Sequence, residues 1–351
     1  YPCRENPSNP QPMTHRTPAL MARFSLFAVC LFAVSLSTGC ANESTPDKAE
    51  ERLLPSSSGT HHDLAIFCND KVWFDGVGLA VAETFAAPVN GLPQAEKRFL
   101  ASQLPHKAAS SLIKRFKSVL SLQIIPDSSG IVVAKDVWAR PQMVVQVIAP
   151  NAAAMARIIR SNAPEMMERF EAHNQMQLTK RLKKTSASPI PSSLTTKGID
   201  KLVISKFFQT TFENDHVAIL RMDTKKSLQF MMISSLPIIT GSIESRIIQR
   251  RDSLLDLHFT GQSEGSKIVT EMALPPHFRN LSVDGKYSVE THGLFKTVGG
   301  IGGGPFVSLS IFDEANNRVL TLDCIVFAPG SKKRKILLEL EAMIHSVILK
   351  K

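Results

Sequence analysis

Acid–base chemistry needs ionisable side chains held at a common point, and six residues of this chain are of suitable type: Glu96, Asp136, Arg251, Asp252, Glu290 and His292. Glu290 and His292 stand two apart, so on a β-strand they project from one face, where a carboxylate can orient an imidazole as a general base. The same spacing also suits a strand histidine whose only task is a structural hydrogen bond. Arg251-Asp252, with Glu244 and Arg246 close by, could offer a guanidinium fork to an anionic ligand. On an amphipathic helix the same charges form a solvated ion-pair face. A hydrolase or transferase acting on cell-wall or lipid substrates would need all six in one cleft. A second set, Gln94, Glu96, Trp138, Gln142, Arg251, Asp252 and Gly303, marks a candidate ligand or partner surface. Trp138 and Trp73 read first as core residues, and Trp138-Ala139-Arg140 also as a recognition surface.

No nucleophile, metal ligand set or cofactor is assigned. The segment Gly299-Gly300-Ile301-Gly302-Gly303-Gly304-Pro305 is the most glycine-rich. A phosphate-cradling loop would lie between a strand and a helix, whereas here a strand follows and Pro305 removes a backbone donor. A closely packed loop before a hairpin is the expectation. His61-His62 has no third ligand at suitable spacing. Cys68 and Cys324 sit in apolar strand-like runs and read equally as a disulfide or as two buried thiols.

The strongest localisation signal is Cys40. Residues 24–36 form an apolar run of thirteen, with Arg16 and Arg23 on its N-terminal side. That length suits a signal-peptide core and falls short of a membrane span of about 20 residues. Leu36-Ser37-Thr38-Gly39-Cys40 follows and resembles the lipobox of bacterial lipoproteins, whose cysteine is acylated and becomes the mature N-terminus. Ser37 stands where that motif usually has Leu. Residues 1–39 are therefore expected to be upstream sequence and signal peptide, and 40–60 a lipid-anchored tether rich in Ser and Pro. No second long apolar run occurs.

The net charge of +10 becomes +8 once Arg4, Arg16, Arg23 and Glu5 leave with the leader. The basic clusters Lys180-Arg181-Lys183-Lys184 and Lys332-Lys333-Arg334-Lys335 lack interleaved aromatics, so nucleic acid is not an expected partner. The expected partners are the membrane, through the N-terminal lipid, and an envelope protein or an anionic glycan or lipid.

Periodicity supplies the elements that must position these residues. Strands are expected at 64–68, 119–125, 131–137, 142–149, 216–222, 227–234, 267–274 and 281–290, with a hairpin at 306–312/318–327. Helices are expected at 73–86, 107–117, 151–184 with a break at Pro164, 195–208, 242–258 and 332–349. Ser186–Ser193 reads as a linker, giving an N-terminal half at 61–185, a linker at 186–194 and a C-terminal half at 195–351. The fold class is α+β: mostly antiparallel sheets with covering helices. Both halves end in strand, Ala-Pro, helix (Ala149-Pro150 and Ala328-Pro329), which raises a duplicated unit and two similar halves.

Several motifs in fixed order resemble one family, a Bacteroidota family of predicted envelope lipoproteins of unknown function. They are Gly91-Leu92-Pro93-Gln94 with Glu96 and Phe99, and Asp136-Val137-Trp138-Ala139-Arg140-Pro141-Gln142. Arg251-Asp252, Glu290-Thr291-His292-Gly293-Leu294 and Gly303-Gly304-Pro305-Phe306 follow. Val326-Phe327-Ala328-Pro329 with Lys332-Lys333-Arg334 completes the set. The resemblance runs from about residue 53 to 348. Phe295 and Phe327 replace a usual Trp and Tyr, and Cys324 a usual Gly. The resemblance implies a cell-envelope lipoprotein and brings no catalytic residues. Glu43 and Asp47 near Cys40 form no dense acidic export tag, so the expected location is the outer membrane facing the periplasm. The expected function is a non-catalytic binding, scaffold or accessory role, with the hydrolase or transferase as the alternative.

Overall fold

Alternating apolar residues build the first sheet. The computed structural model describes residues 53–238, 240–259 and 265–350. Cys40, the apolar run at 24–36 and residues 41–52 lie outside the described residues. The strands are β1 (Asp63–Phe67), β2 (Leu100–Leu104), β3 (Ser118–Ile124), β4 (Gly130–Lys135) and β5 (Met143–Ala149), in the order β2-β1-β3-β5-β4. The β1·β2, β1·β3 and β3·β5 pairs are parallel, and only β4·β5 is antiparallel. Leu64, Ile66, Leu120, Leu122, Val145 and Val147 point to one face, under helices α1 (Asp70–Val72), α2 (Gly78–Phe85), α3 (Ala152–Ser161) and α4 (Ala163–Lys183). The alternate residues Ala65, Phe67, Val119 and Val144 point to the other face, where Ala109, Ile113, Phe116 and Trp138 cover them. Strands buried on both faces read as continuous apolar runs, the pattern of parallel strands.

The second sheet is antiparallel throughout. After the short helix α5 (Ser192–Thr196) and strand β6 (Ile199–Lys201) come β7 (Gln209–Glu213), β8 (Val217–Asp223) and β9 (Leu228–Pro237). Helix α6 (Ile243–His258) then precedes β10 (Lys267–Thr270), β11 (His277–Val283), β12 (Lys286–Val298), β13 (Gly303–Asp313) and β14 (Arg318–Phe327). Helix α7 (Arg334–Ile344) and β15 (Ile348–Leu349), which pairs with β6, close the chain. The sheet order is β10-β12-β13-β14-β9-β8-β7, with β11 sharing the β10 edge of β12. One face packs on α7 and the C-terminal part of α4, through Leu337, Leu340, Leu178 and Leu182. The opposite face packs on α6 through Ile247, Ile248 and Leu255.

The α+β class with mostly antiparallel sheets is the architecture present, with corrections in detail. The halves are not copies, because the first sheet is largely parallel and the second antiparallel. Residues 107–117 form two 3-10 turns, His106–Ala108 and Ile113–Arg115, instead of a helix. The helix expected at 195–208 is only α5, and strand β6 follows it within that range. The strand expected at 281–290 is a hairpin turning at Asp284-Gly285, both at positive φ. The last helix stops at Ile344 so that β15 can pair with β6. Helix α4 joins both cores, with Met166 and Phe170 in the first and Leu178 and Leu182 in the second. Residues Leu53–Lys351 thus form one compact unit.

Candidate functional site

The six titratable candidates fall in three places. The richest lies where the GLPQ loop, α7 and β12 meet. Glu96 Oε1 accepts the backbone N–H of Lys333 at 2.7 Å, and its Oε2 accepts that of Arg334 at 3.3 Å. Lys333 is the N-cap of α7 and has no capping side chain of its own, so Glu96 caps the helix from a distant loop. Gly91, at φ +74, sits so close to β12 that a Cβ would lie 2.9 Å from the Gly293 nitrogen and 3.2 Å from His292 Cβ. Leu92 packs on the second core.

On β12, Glu290 is 2% exposed and its Oε1 accepts from Arg279 Nη2 at 2.8 Å and from His292 Nε2 at 3.1 Å. His345, just past α7, donates through Nε2 to Glu290 Oε2. Glu341 of α7 faces His292 Nδ1 at 4.0 Å and pairs with Arg334 Nη1 at 3.2 Å. Burial opposes ionisation of Glu290, yet hydrogen bonds from His292 and His345 hold its carboxyl well below the usual range. Burial works against a charged His292, but the bond to Glu290 and the Glu341 charge raise its pKa. The arrangement is an acid clamped by two imidazoles and a guanidinium, and it fastens α7 to β12.

The second place is the α6–sheet interface. Arg251 is 3% exposed and its Nε donates to Asp323 Oδ1 at 3.1 Å, its Nη1 to Thr270 Oγ1 at 2.9 Å, and its guanidinium carbon lies 3.6 Å from the Phe306 ring centre. Asp252 accepts both the N–H and the hydroxyl of Thr270, at 2.9 and 2.6 Å, which ties α6 to β10. Burial raises the Asp323 carboxyl against the opposing charge of Arg251. Arg251 Nη2, Asp323 Oδ2 and Ser308 Oγ have no partner, and they line a cavity of about 10 Å³ with Ser310, Thr321 and Arg250. That is room for about one water. Ser308 and Ser310 are buried beneath α6.

The third place is the loop 136–142. Asp136 Oδ1 accepts the Gln142 N–H at 2.8 Å and its Oδ2 pairs with Arg140 at 3.0 Å. These bonds lower the Asp136 pKa against the raising effect of burial. Gln142, fully buried, donates to the carbonyls of Lys114 and Phe116 at 2.6 and 2.8 Å and accepts the Trp138 N–H at 2.9 Å. Trp138 packs edge-on against Phe67, ring centres 6.1 Å apart.

The surface set Gln94, Glu96, Trp138, Gln142, Arg251, Asp252 and Gly303 is therefore not one patch. Gln94 is exposed, Glu96 caps α7, Trp138 and Gln142 belong to the first sheet, and Arg251 and Asp252 to the α6 interface. A Cβ on Gly303 would lie 2.9 Å from the Phe295 carbonyl, and one on Gly304 would overlap that of Val326, so the glycines allow strands to approach. Cys68 and Cys324 are free and buried; burial pushes the Cys68 thiol up to about 11. Among the described residues no group of three His, Cys, Asp or Glu is placed to hold a metal. Burial holds His61 down to about 4.

Two features were missed in the sequence. An open groove of about 480 Å³ lies between the β8–β9 turn and the segment after β14, lined by Arg221, Thr224, Lys225, Lys226, Phe327 and Ser331. The lysine pair in a turn and the aromatic before Ala328-Pro329 were its available signals. Gly261-Gln262-Ser263-Glu264-Gly265 also has nucleophile-elbow spacing. An elbow joins a strand to a helix; this run joins α6 to β10, and residues 261–264 lie outside the described residues.

Residues 57–183 match a family described as a domain of unknown function (DUF8532), and residues 194–346 match another domain of unknown function (DUF4837). No curated protein matches the chain. The chain thus consists, over most of its described length, of two regions that match domain families of unknown function.

Proposed function

We propose that this chain is a cell-envelope lipoprotein, acylated on Cys40 and held at the outer membrane facing the periplasm, with a non-catalytic binding, scaffold or accessory role. The carrying observation is the fate of the chemistry-bearing residues. Asp136, Arg251, Asp252, Glu290 and His292 are bonded within the fold at three separate places, and Glu96 caps a helix. The open groove instead offers Lys225, Lys226, hydroxyls and the Phe327 ring, with Asp223 already paired to Arg221. Cations, hydroxyls and an aromatic face suit an anionic glycan or headgroup better than an acid–base reaction. The lipobox resemblance and the resemblance over 53–348 support the anchor, and two acyl chains would hold the body stably where one would not.

The test is intact mass and membrane partitioning of the expressed protein beside Cys40→Ser. An acyl mass on Cys40 and loss of partitioning in the variant are expected; partitioning unchanged by the substitution overturns the anchor. The alternative hydrolase or transferase has Glu290, His292 and His345 to draw on. Turnover of a cell-wall or lipid substrate abolished by Glu290→Gln, with the fold intact by circular dichroism, would replace the binding role with that activity.

A further inference from the structure

The described chain joins its folded body beside the loop 136–142. Pro55 accepts the Arg140 N–H, Ser57 donates to the Arg140 carbonyl and Ser58 to that of Arg115, at 2.8–3.1 Å. Lys117 Nζ donates to the carbonyls of Ser58 and Gly59. Residues 55–58, expected as tether, are thus part of the body. With the Gln142 bonds to Lys114 and Phe116, they make one layer of irregular backbone on the helix-free face of the first sheet.

That layer has a distinct surface. Leu53 is 98% exposed, Leu112 68% and Val137 40%. Residues 105–117 contain Lys107, Lys114, Arg115 and Lys117 and no acidic residue, while Lys135 and Arg140 stand in the neighbouring segment against the single Asp136. Asp136 is already bonded to Arg140. Exposed aliphatic side chains set among cations match a surface that meets anionic headgroups, the apolar groups at the acyl boundary and the cations at the phosphates. A bilayer surface would take these leucines out of water while leaving the cations at the hydrated headgroups.

The geometry points to an anionic phospholipid surface as the partner of this layer, with Leu53 and Leu112 seated at the headgroups and Lys107, Lys114 and Arg115 over the lipid phosphates. The inference rests on the lipid-anchor reading. The twelve residues between Cys40 and Leu53 extend to at most about 45 Å and enter the folded body beside this layer, so an acylated Cys40 would bring the chain to the bilayer from this side.

The two tryptophans make the test, because Trp138 lies in this layer and Trp73 packs on the helix-covered face. Full-length acylated protein carrying Trp73→Phe or Trp138→Phe is reconstituted into vesicles whose phosphatidylglycerol or phosphatidylcholine carries brominated chains, after intact mass has verified the acyl group. Expected is quenching of Trp138 several-fold above that of Trp73, stronger with brominated phosphatidylglycerol. Lys107→Glu/Lys114→Glu should remove the excess. So should raising salt from about 0.1 to about 1 M, which shortens the screening length from about 10 to about 3 Å. Acylated protein in which Trp73 is quenched as much as Trp138, or in which neither charge reversal nor salt matters, overturns this inference and leaves the anchor standing. An unmodified Cys40 overturns both.

Discussion

If Glu96 is a fastener, removing its carboxylate should loosen α7 and change nothing else. The carboxylate satisfies two backbone donors at the start of α7, at 2.7 and 3.3 Å, where no local side chain can replace it. Loss of a cap costs about 1 kcal/mol, and loss of a negative charge at a helix N-terminus about 0.3–1 kcal/mol. Glu96→Ala should therefore cost about 2 kcal/mol in all, and Glu96→Gln, which keeps the acceptor without the charge, about half as much. With about 2.1 cal/mol/K per residue over roughly 300 residues, 2 kcal/mol lowers Tm by about 3 °C. The local signature is larger. Amide exchange at Lys333 and Arg334 should accelerate about 30-fold for 2 kcal/mol of local opening, while amides of β1 and β3 keep their protection. Lys97→Ala, at an exposed neighbouring position, is the control. Unchanged Tm and unchanged exchange at Lys333 and Arg334 in Glu96→Ala would refute the capping role and return Glu96 to the candidate catalytic residues.

Three further outcomes follow from the same contacts. Arg251→Met strands the buried Asp323 and should cost about 3–5 kcal/mol by urea unfolding, whereas Arg251→Met/Asp323→Leu should recover most of it. Because burial raises the Asp323 pKa, stability falls as pH rises through it, and the single variant should lose more at about pH 8 than at about pH 5. His292 has the same sign: its raised pKa gives stability that is full below about 6.5 and lost as pH climbs through the folded value, so unfolding midpoints of the parent protein should decline between about pH 6 and about pH 9 and those of His292→Gln much less. The Glu290 carboxyl, held low, contributes above about pH 4.5 and is lost only in stronger acid. Gly304→Ala should cost about 1–3 kcal/mol or more through overlap with the Val326 carbonyl, while Gly130→Ala, with open space at its Cβ, should be neutral or slightly stabilising; equal effects in a thermal melt would contradict the close approach of β13 and β14.

Much of the secondary structure was legible because burial follows period. The alternation in β13, the stripe of α7 and the break before Pro164 could all be read from residue spacing. What misled was context. Short turns suggested mostly antiparallel sheets, yet the unbroken apolar run Met143-Val144-Val145 already carried the mark of a strand buried on both faces in the largely parallel first sheet. The burial of Ser308 and Ser310 was not legible, because a strand alone does not say that a helix will cover its polar face. Helical spacing at 107–117 gave way to 3-10 turns because the segment drapes over a sheet through Ile113 and Phe116.

The candidate residues show the same division. Sequence alone determined their identity and their order, and it raised the expectation of a lipid anchor at Cys40, because those depend on residue types and short-range spacing. It also placed Glu290 and His292 on one strand face, where they are bonded. Only the tertiary structure decided that Glu96 reaches α7 across more than two hundred residues, that Arg251 lies against Asp323, and that Gln142 fastens the segment on which the chain joins its body. Each of these is a contact between elements far apart in the chain. Such contacts are set by how two sheets and their helices pack, and local spacing carries no record of that packing.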